Sequence, residues 1–263
     1  MMVWDILKKR SIKQGRILVK AIVYTEYGPP DVLQIKEVER PVPRDDEVLI
    51  RVHETIVTAT DCINRKGEPF LSRFGTGLIS PKIILGTEVG GEIEAVGKDV
   101  TSFKVGDRVF GSSDISFGAH AEYICLPGDG VMALKPANIT YGEAAVICDG
   151  GLTASHFLRD RADIRSGQEV LVNGASGSVG TAAVQLAKHF GAEVTGVCST
   201  RNLELVRSLG ADKVIDYTKE DFTRRGESYD IIFDTVAKSS FSRCKGSQTS
   251  SATTTSTTTS PRW

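Results

Sequence analysis

The sequence has no excess of either charge, no membrane-length apolar run and no paired cysteines, and each absence removes a class of function. Lysine and arginine together number 32 against 33 aspartates and glutamates, so the net charge of −1 gives no electrostatic support for a nucleic-acid or membrane partner. No apolar stretch approaches the length of a bilayer span. The five cysteines show no paired spacing, which predicts reduced thiols and an intracellular compartment: Cys62, Cys125, Cys148, Cys198 and Cys244.

The first residues, MMVWDILKKRSIKQGR, lack the apolar core and the small-residue cleavage site of a secretory signal. We therefore expect a cytoplasmic protein with a disordered N-terminal extension over residues 1–19. Because the stretch is basic and poor in acids, a mitochondrial presequence is the alternative.

A length of 263 residues, 40% of them apolar, fits one large or two ordinary domains. Residues 20–136 contain short strand-like stretches such as KAIVY and VLIRVHETIV, separated by Gly, Pro and Asp turns. In TEVGGEIEAVG, alternation places Val89, Gly91, Ile93 and Ala95 on one face of a strand. This part of the chain is predicted to be a mostly β domain, a small barrel.

A glycine-rich turn follows a short apolar strand in EVLVNGASGSVG, over Glu169–Gly180. Apolar residues then recur at helical spacing up to Gly191, where a C-terminal cap belongs. Glycine lets the backbone bend sharply and approach a phosphate, and a helix N-terminus presents unpaired N–H donors. An ordinary strand-to-helix turn is the alternative, but the strand and helix favour a dinucleotide site at Gly174, Ala175, Ser176, Gly177, Ser178, Val179 and Gly180.

Beyond residue 136, predicted strands alternate with predicted helices. The strands are Val170–Asn173, Val194–Cys198, Lys213–Asp216 and Tyr229–Val236, and a helix is predicted over Asn202–Leu209. Such alternation predicts right-handed βαβ units on a parallel sheet, covering residues 137–246.

The motifs KAIVYTEYGPPDVL, LGTEVGGEIEAVG, VGDRVFG, GGLTA, NGASGSVG and LGADKVIDY occur in one order along the chain. In this it resembles the zinc-independent, quinone oxidoreductase-like branch of the medium-chain dehydrogenase/reductase superfamily. The resemblance implies an α/β plus mostly β fold: a GroES-like β-barrel domain followed by a Rossmann doubly wound parallel sheet, here incomplete. It also implies a substrate cleft between the domains and, in the family, a homodimer, whose dimerisation edge we expect to be missing from this chain.

The second predicted strand of the cofactor domain ends without an acidic residue. An NAD site usually has Asp or Glu there, about 20 residues after the glycines, to hold the ribose hydroxyls. Ser199 and Arg201 stand there instead, and a guanidinium suits a 2′-phosphate, which predicts NADP(H). The alternative is a helix cap and a solvated cation. By resemblance, Tyr217 lies beside the adenosine phosphate.

The resemblance also implies that no metal is bound. The first zinc-binding cysteine of the zinc-dependent relatives falls on Thr58 and the histidine on Thr87, and neither can serve as such a ligand. Cys148 lies near the position of the last ligand, and without partners it is interpreted as a buried structural thiol. The four histidines show no ligand spacing.

Without a Lewis acid, the chemistry that remains favourable is hydride transfer from NADPH to an electron-poor acceptor, a quinone or an α,β-unsaturated carbonyl. By resemblance, Thr58 and Asp61 occupy the active-site turn, and Thr153 lies beside the nicotinamide. Each is equally compatible with a turn or helix-cap role. No side chain is identified as a general acid.

Residues 247–263 form a Ser/Thr-rich segment of low complexity that we expect to remain unordered. A complete doubly wound sheet has about six strands, and the sequence predicts only the first four. The abrupt change of composition favours a shifted reading frame or alternative terminus, and would leave the fourth strand as an exposed apolar edge with poor solubility. A second hypothesis is therefore a catalytically impaired fragment that binds NADP(H) or a partner chain.

Overall fold

The structure, a computed structural model, describes residues 11–13, 16–81, 83–236 and 244–256. The chain divides into two compact units, Met1–Cys148 and Asp149–Trp263. Within the described residues, no helix has both the length and the apolar character that a membrane span requires.

The first unit is built from antiparallel strands in two sheets, ordered β1-β2-β3 and β7-β4-β5-β6-β8. Two helices, α1 (Ala59–Lys66) and α2 (Arg73–Thr76), lie between β4 and β5 along the chain. The predicted mostly β domain is confirmed. Its strands are β1 Ser11–Lys13, β2 Arg16–Val23, β3 Gln34–Glu39, β4 Glu47–Thr55, β5 Glu88–Val96, β6 Arg108–Ser112, β7 Tyr123–Pro127 and β8 Met132–Leu134.

The alternation predicted that Val89, Ile93 and Ala95 lie on one face of β5, but in the structure Ala95 lies on the other face. Val89 and Ile93 lie in the main apolar cluster of this unit, whereas Ala95 packs against a second cluster around Leu49. The register explains the difference, because Leu49 and Ile50 pair with Ala95 and Ile93 and skip Glu94. This bulge turns Ala95 to the other face.

Part of the predicted N-terminal extension is ordered. Ser11–Lys13 pairs antiparallel with Arg16–Leu18, and β2 begins before the predicted domain start at residue 20. The expectation of disorder is wrong for these residues, because hydrogen bonding to a neighbouring strand orders them. Residues 1–10, on which the presequence alternative mainly depends, lie outside the described residues.

The second unit carries a parallel sheet in the order β11-β10-β9-β12-β13, with helices along the chain between its strands. The predicted α/β architecture is confirmed, and each predicted strand is present within two residues of its expected ends. Helix α3, Tyr141–Ser155, begins in the first unit and ends in the second. The elements that follow it are a π-helix His156–Arg161, β9 Glu169–Asn173, α4 Ser178–His189, β10 Glu193–Cys198, α5 Leu203–Ser208, β11 Lys213–Asp216, β12 Tyr229–Asp234 and β13 Gln248–Ser256.

Strand β9 is covered on both faces, which accounts for its unbroken apolar run. Val170 and Val172 are buried in the cluster that includes Val184 of α4. Leu171 points to the opposite face, where it is buried with Ile232 and Phe222. These contacts fix the position in the sheet at which β9 ends and the glycine-rich turn begins.

The Ser/Thr-rich segment forms the fifth strand of the sheet, β13. It pairs parallel with β12, from Ile231 opposite Thr253 to Asp234 opposite Ser256. The expectations that this segment stays unordered and that β12 is an open edge are therefore wrong for Gln248–Ser256. An edge strand needs only backbone partners, and threonine has high β propensity, so low hydrophobicity did not prevent pairing. Residues 257–263 lie outside the described part.

Candidate functional site

The carboxyl ends of four neighbouring strands meet at one edge of the parallel sheet. Asn173 at the end of β9 lies opposite Asp234 at the end of β12, and Cys198 at the end of β10 lies opposite Asp216 at the end of β11. Open parallel sheets bind ligands outside the carboxyl ends of their strands. The loops that begin here, together with the first turn of α4, carry all the predicted cofactor residues.

The glycine-rich turn contains Gly174, Gly177 and Gly180. At Gly174 and Gly180, the backbone conformation or the packing of the chain leaves no room for a larger residue. Gly174 has φ of +85°, and a Cβ there would lie 2.6 Å from the Thr235 hydroxyl oxygen. A Cβ on Gly180 would collide with the Gly174 carbonyl oxygen and lie 2.8 Å from Cα of Ala175. The N–H groups of Gly174 and Ala175 donate to the Val197 carbonyl, which fastens the turn to β10.

At position 177, by contrast, the packing of the chain does not require glycine. Gly177 is the N-cap of α4 in an extended conformation, and a Cβ there would meet only the Gly174 carbonyl oxygen, at an ordinary 3.5 Å. Gly177 and Ser178 are exposed, and no side chain caps the helix. The N-terminal N–H groups of a helix lack intrahelical partners, so this end of α4 offers donors and space to an anion.

The other predicted turn residues are placed differently. Ala175 is fully buried and Val179 packs against the same core, so they shape the turn from inside. Gly150 of the GGLTA segment lies against α4, since a Cβ there would be 2.8 Å from the Ser178 carbonyl oxygen. Thr153 follows one helical turn later on α3 and is half-buried. The segment carrying Thr153 therefore starts beside the glycine turn.

The loop after β10 is tied to the glycine turn by Asn202, which the sequence analysis did not identify. Its side-chain amide donates to the hydroxyl oxygens of Ser176 at 2.9 Å and Ser199 at 3.3 Å. Arg201 is exposed, and within the described residues its guanidinium forms no ion pair. Ser199 and Arg201, the residues predicted to contact the 2′-phosphate, thus lie on a loop that Asn202 ties to the glycine-rich turn.

Asp216 is a second site residue that the sequence analysis missed. Its carboxylate accepts hydrogen bonds from the hydroxyls of Thr200 at 2.5 Å and Thr218 at 2.7 Å, and from the Thr218 N–H at 3.0 Å. These bonds, that from Thr200 foremost, lower the pKa of Asp216 to about 2. Tyr217, which lies between Asp216 and Thr218 in the sequence, is 62% exposed. The spacing Asp-x-Thr is a turn signal that could have been read from the sequence.

In the first unit, Thr58 and Asp61 form a capping box at the start of α1. The Asp61 carboxylate accepts from the Thr58 N–H at 2.8 Å and the Thr58 hydroxyl at 3.0 Å, and the Asp61 N–H donates back to that hydroxyl. The other carboxylate oxygen accepts from the Gly86 N–H at 2.9 Å. Asp61 is 2% exposed, so its charge is satisfied by the chain itself.

Tyr24 is a buried polar group near this turn. Its hydroxyl has no hydrogen-bond partner among the described residues. Burial, with the neighbouring Tyr27 and Asp61, raises the pKa of Tyr24 to about 12. Tyr24 is only 3% exposed, so in this conformation the hydroxyl does not reach solvent.

The residues at the positions of the zinc ligands do not fit a zinc ion. The Thr58 hydroxyl is engaged with Asp61, and the Thr87 hydroxyl donates to the Glu88 carboxylate at 2.6 Å. Among the described residues, no three His, Cys, Asp or Glu side chains come together in a group that could hold a metal. His120, near the turn, is hydrogen-bonded to the Ile56 carbonyl at 2.9 Å.

Comparison with known proteins places both units in one superfamily. Residues 44–136 match the family described as Alcohol dehydrogenase GroES-like domain, and residues 178–254 match the family described as Zinc-binding dehydrogenase. The second match extends through most of β13. The chain is 34% identical to the quinone oxidoreductase of Homo sapiens over 237 residues, which cover 87% of this chain and 70% of that protein.

The chain therefore belongs to the quinone oxidoreductase-like branch of the medium-chain dehydrogenase/reductase superfamily. It is 36% identical to the 2-methylene-furan-3-one reductase of Solanum lycopersicum and to an NADPH-dependent alkenal/one oxidoreductase of Arabidopsis thaliana. These matches cover 84% and 83% of this chain but only 58% and 57% of the relatives.

Solved structures agree with this assignment. The quinone oxidoreductase from Coxiella burnetii has a TM-score of 0.76 at 31% identity, covering 83% of this chain and 69% of that one. The CurK enoyl reductase has a TM-score of 0.80 at 26% identity, covering 90% of this chain and 73% of that one.

Proposed function

We propose that this chain binds NADP(H) and belongs to a metal-independent reductase of quinones or α,β-unsaturated carbonyl compounds. The observation that carries the proposal is the exposed Gly177 at the uncapped start of α4, a glycine that the chain's own packing does not require. The names of the relatives support the substrate class, since they include quinone and alkenal/one oxidoreductases.

In this proposal the backbone from Gly174 to Gly180 binds the pyrophosphate, with Ser176 and Ser178 at its border. Ser199, Arg201 and Tyr217 surround the 2′-phosphate, whose charge the Arg201 guanidinium is free to pair with. When bound, NADPH supplies the hydride, so the side chains are needed to orient and to exclude water rather than to supply electrons.

We assign the remaining candidates to positioning. Asp61 holds Thr58 and Gly86 in place through buried hydrogen bonds, which supports a role for this turn as a rigid wall for the acceptor. Thr153 is proposed to lie on the nicotinamide side, supported by the packing of Gly150 against Ser178.

A second candidate function is cofactor or partner binding without turnover. It is favoured by the composition of β13, in which Gln, Ser and Thr occupy every position except Ala252. A strand of this kind contributes little apolar burial to a sheet. Its detachment would uncover β12, whose Ile231, Ile232 and Phe233 are apolar, and open that edge to another chain.

We further propose a reducing, cytoplasmic compartment, supported by the sequence positions of the five cysteines, which show no paired spacing.

The test is a turnover assay on the full chain. NADPH oxidation is followed with a quinone, an alkenal and, as the matched control, the corresponding saturated aldehyde, each with and without a metal chelator. The proposal predicts oxidation with the first two, none with the third, and no effect of the chelator. Loss of activity on metal removal would contradict the metal-independent mechanism, and NADPH binding without oxidation across the panel would establish the second candidate.

A further inference from the structure

Asp216 links two loops that lie far apart in the sequence. One carboxylate oxygen accepts from Thr218, in its own loop after β11, by both the hydroxyl and the N–H. The other accepts from the Thr200 hydroxyl at 2.5 Å, in the loop after β10. Asp216 is 6% exposed, and the hydroxyls of Thr200 and Thr218 are themselves 3.1 Å apart.

A second Asp-x-Thr turn in the same unit has the same local geometry as the turn at Asp216 and Thr218. Asp221 accepts from the hydroxyl and N–H of Thr223 at 2.7 and 3.0 Å, the same distances as at Asp216 and Thr218. The second oxygen of Asp221 lies 4.0 Å from Arg224 in its own segment. The bond from Thr200 to Asp216 differs from these turn bonds, because it joins residues 16 positions apart in the sequence.

The link affects the residues predicted to contact the 2′-phosphate. Thr200 stands between Ser199 and Arg201, so fixing its side chain fixes the backbone from which both neighbours project. Tyr217 directly follows Asp216. The same bonds occupy both oxygens of Asp216, the acid at the carboxyl end of the neighbouring strand, and Lys219 lies 3.6 Å from one of them.

We propose that the Thr200–Asp216 hydrogen bond is a specificity determinant for a 2′-phosphorylated cofactor, with both residues acting as positioning residues. The bond holds Ser199 and Arg201 towards the phosphate and keeps the Asp216 carboxylate engaged, so that it is not offered to the ribose hydroxyls of NAD(H). This inference rests on the proposed NADP(H) function and adds to it the residues that set the preference.

The test compares Thr200→Val, which removes the hydroxyl at nearly constant shape, with Thr200→Ser, which keeps it. Thr223→Val is the control, because it removes a Thr-to-Asp hydrogen bond from a turn outside this loop. Dissociation constants for NADPH and NADH are measured by fluorescence titration of the full chain, with the melting temperature of each cofactor-free variant. We expect Thr200→Val to weaken NADPH binding about tenfold, the size of one hydrogen bond to a charged group. NADH binding should not weaken and should become tighter if the released Asp216 oxygen accepts from a ribose hydroxyl.

Thr200→Ser and Thr223→Val should retain the NADPH preference of the unmodified chain. If Thr200→Val lowers the melting temperature, the serine variant still decides, because a shape effect would not be restored by the hydroxyl alone. A preference that survives Thr200→Val, or an equal loss for both cofactors, overturns this inference only. Equal binding of NADPH and NADH by the unmodified chain overturns the proposed cofactor and this inference together.

Discussion

At the scale of single residues, the three turn glycines have different physical causes. Gly174 and Gly180 are fixed by a positive φ and by close backbone contact, and they would be needed in any turn of this shape. Gly177 is in an ordinary extended conformation with open space beside it. This open space supports the proposal that a ligand approaches the backbone at Gly177.

This difference predicts opposite consequences for two matched substitutions. Gly180→Ala should destabilise the fold by about 2–3 kcal/mol, because its Cβ overlaps the backbone of Gly174 and Ala175. Gly177→Ala should cost only about 0.5–1 kcal/mol, as expected for alanine at an N-cap, and should abolish NADPH binding. Denaturant unfolding and cofactor titration measure the two effects. Normal NADPH binding by Gly177→Ala would show that no ligand approaches this position.

The glycines, Ser199 and Arg201 were predicted because each follows a recognisable strand at a known spacing, whereas Tyr217 was predicted from the family resemblance. The sequence did not show that Asn202 joins Ser176 to Ser199 or that Asp216 joins Thr200 to Thr218. Those bonds depend on how neighbouring strands align, which a pattern within one segment does not contain.

At the scale of elements, the strands of the parallel sheet were predictable because burial on both faces leaves an unbroken apolar run. Two features of the elements could not be predicted from the sequence. The face of Ala95 changed because of a bulge that one strand alone does not reveal. Strand β13 was missed because composition, rather than hydrogen bonding to β12, was used to judge its order.

Strand β13 should be the least protected strand of its sheet. It lies at the edge in the described part of the chain, and its composition of mainly Ser and Thr offers little apolar surface to bury. Hydrogen–deuterium exchange is expected to show rapid exchange over Gln248–Ser256 and slow exchange over β9 and β12. Protection of β13 equal to that of β9 would mean that it is an integral strand and would remove support for the second candidate function.

At the scale of the whole molecule, family membership and the order of the two units agree with what the motifs predicted. The chain nevertheless spans 58% and 57% of two of its relatives, so their activities are proposals for this chain. The central claim is narrower: a phosphorylated dinucleotide binds at the carboxyl edge of the parallel sheet, with its 2′-phosphate beside Arg201.

The most direct test of that claim is a titration of the unmodified chain and of Arg201→Ala with NADPH and NADH. The account predicts tighter binding of NADPH by the unmodified chain, and a loss of about tenfold in NADPH affinity in Arg201→Ala, in the range of a charge-assisted hydrogen bond. NADH affinity should not change. NADH bound as tightly as NADPH, with no effect of Arg201→Ala on either, would contradict the account.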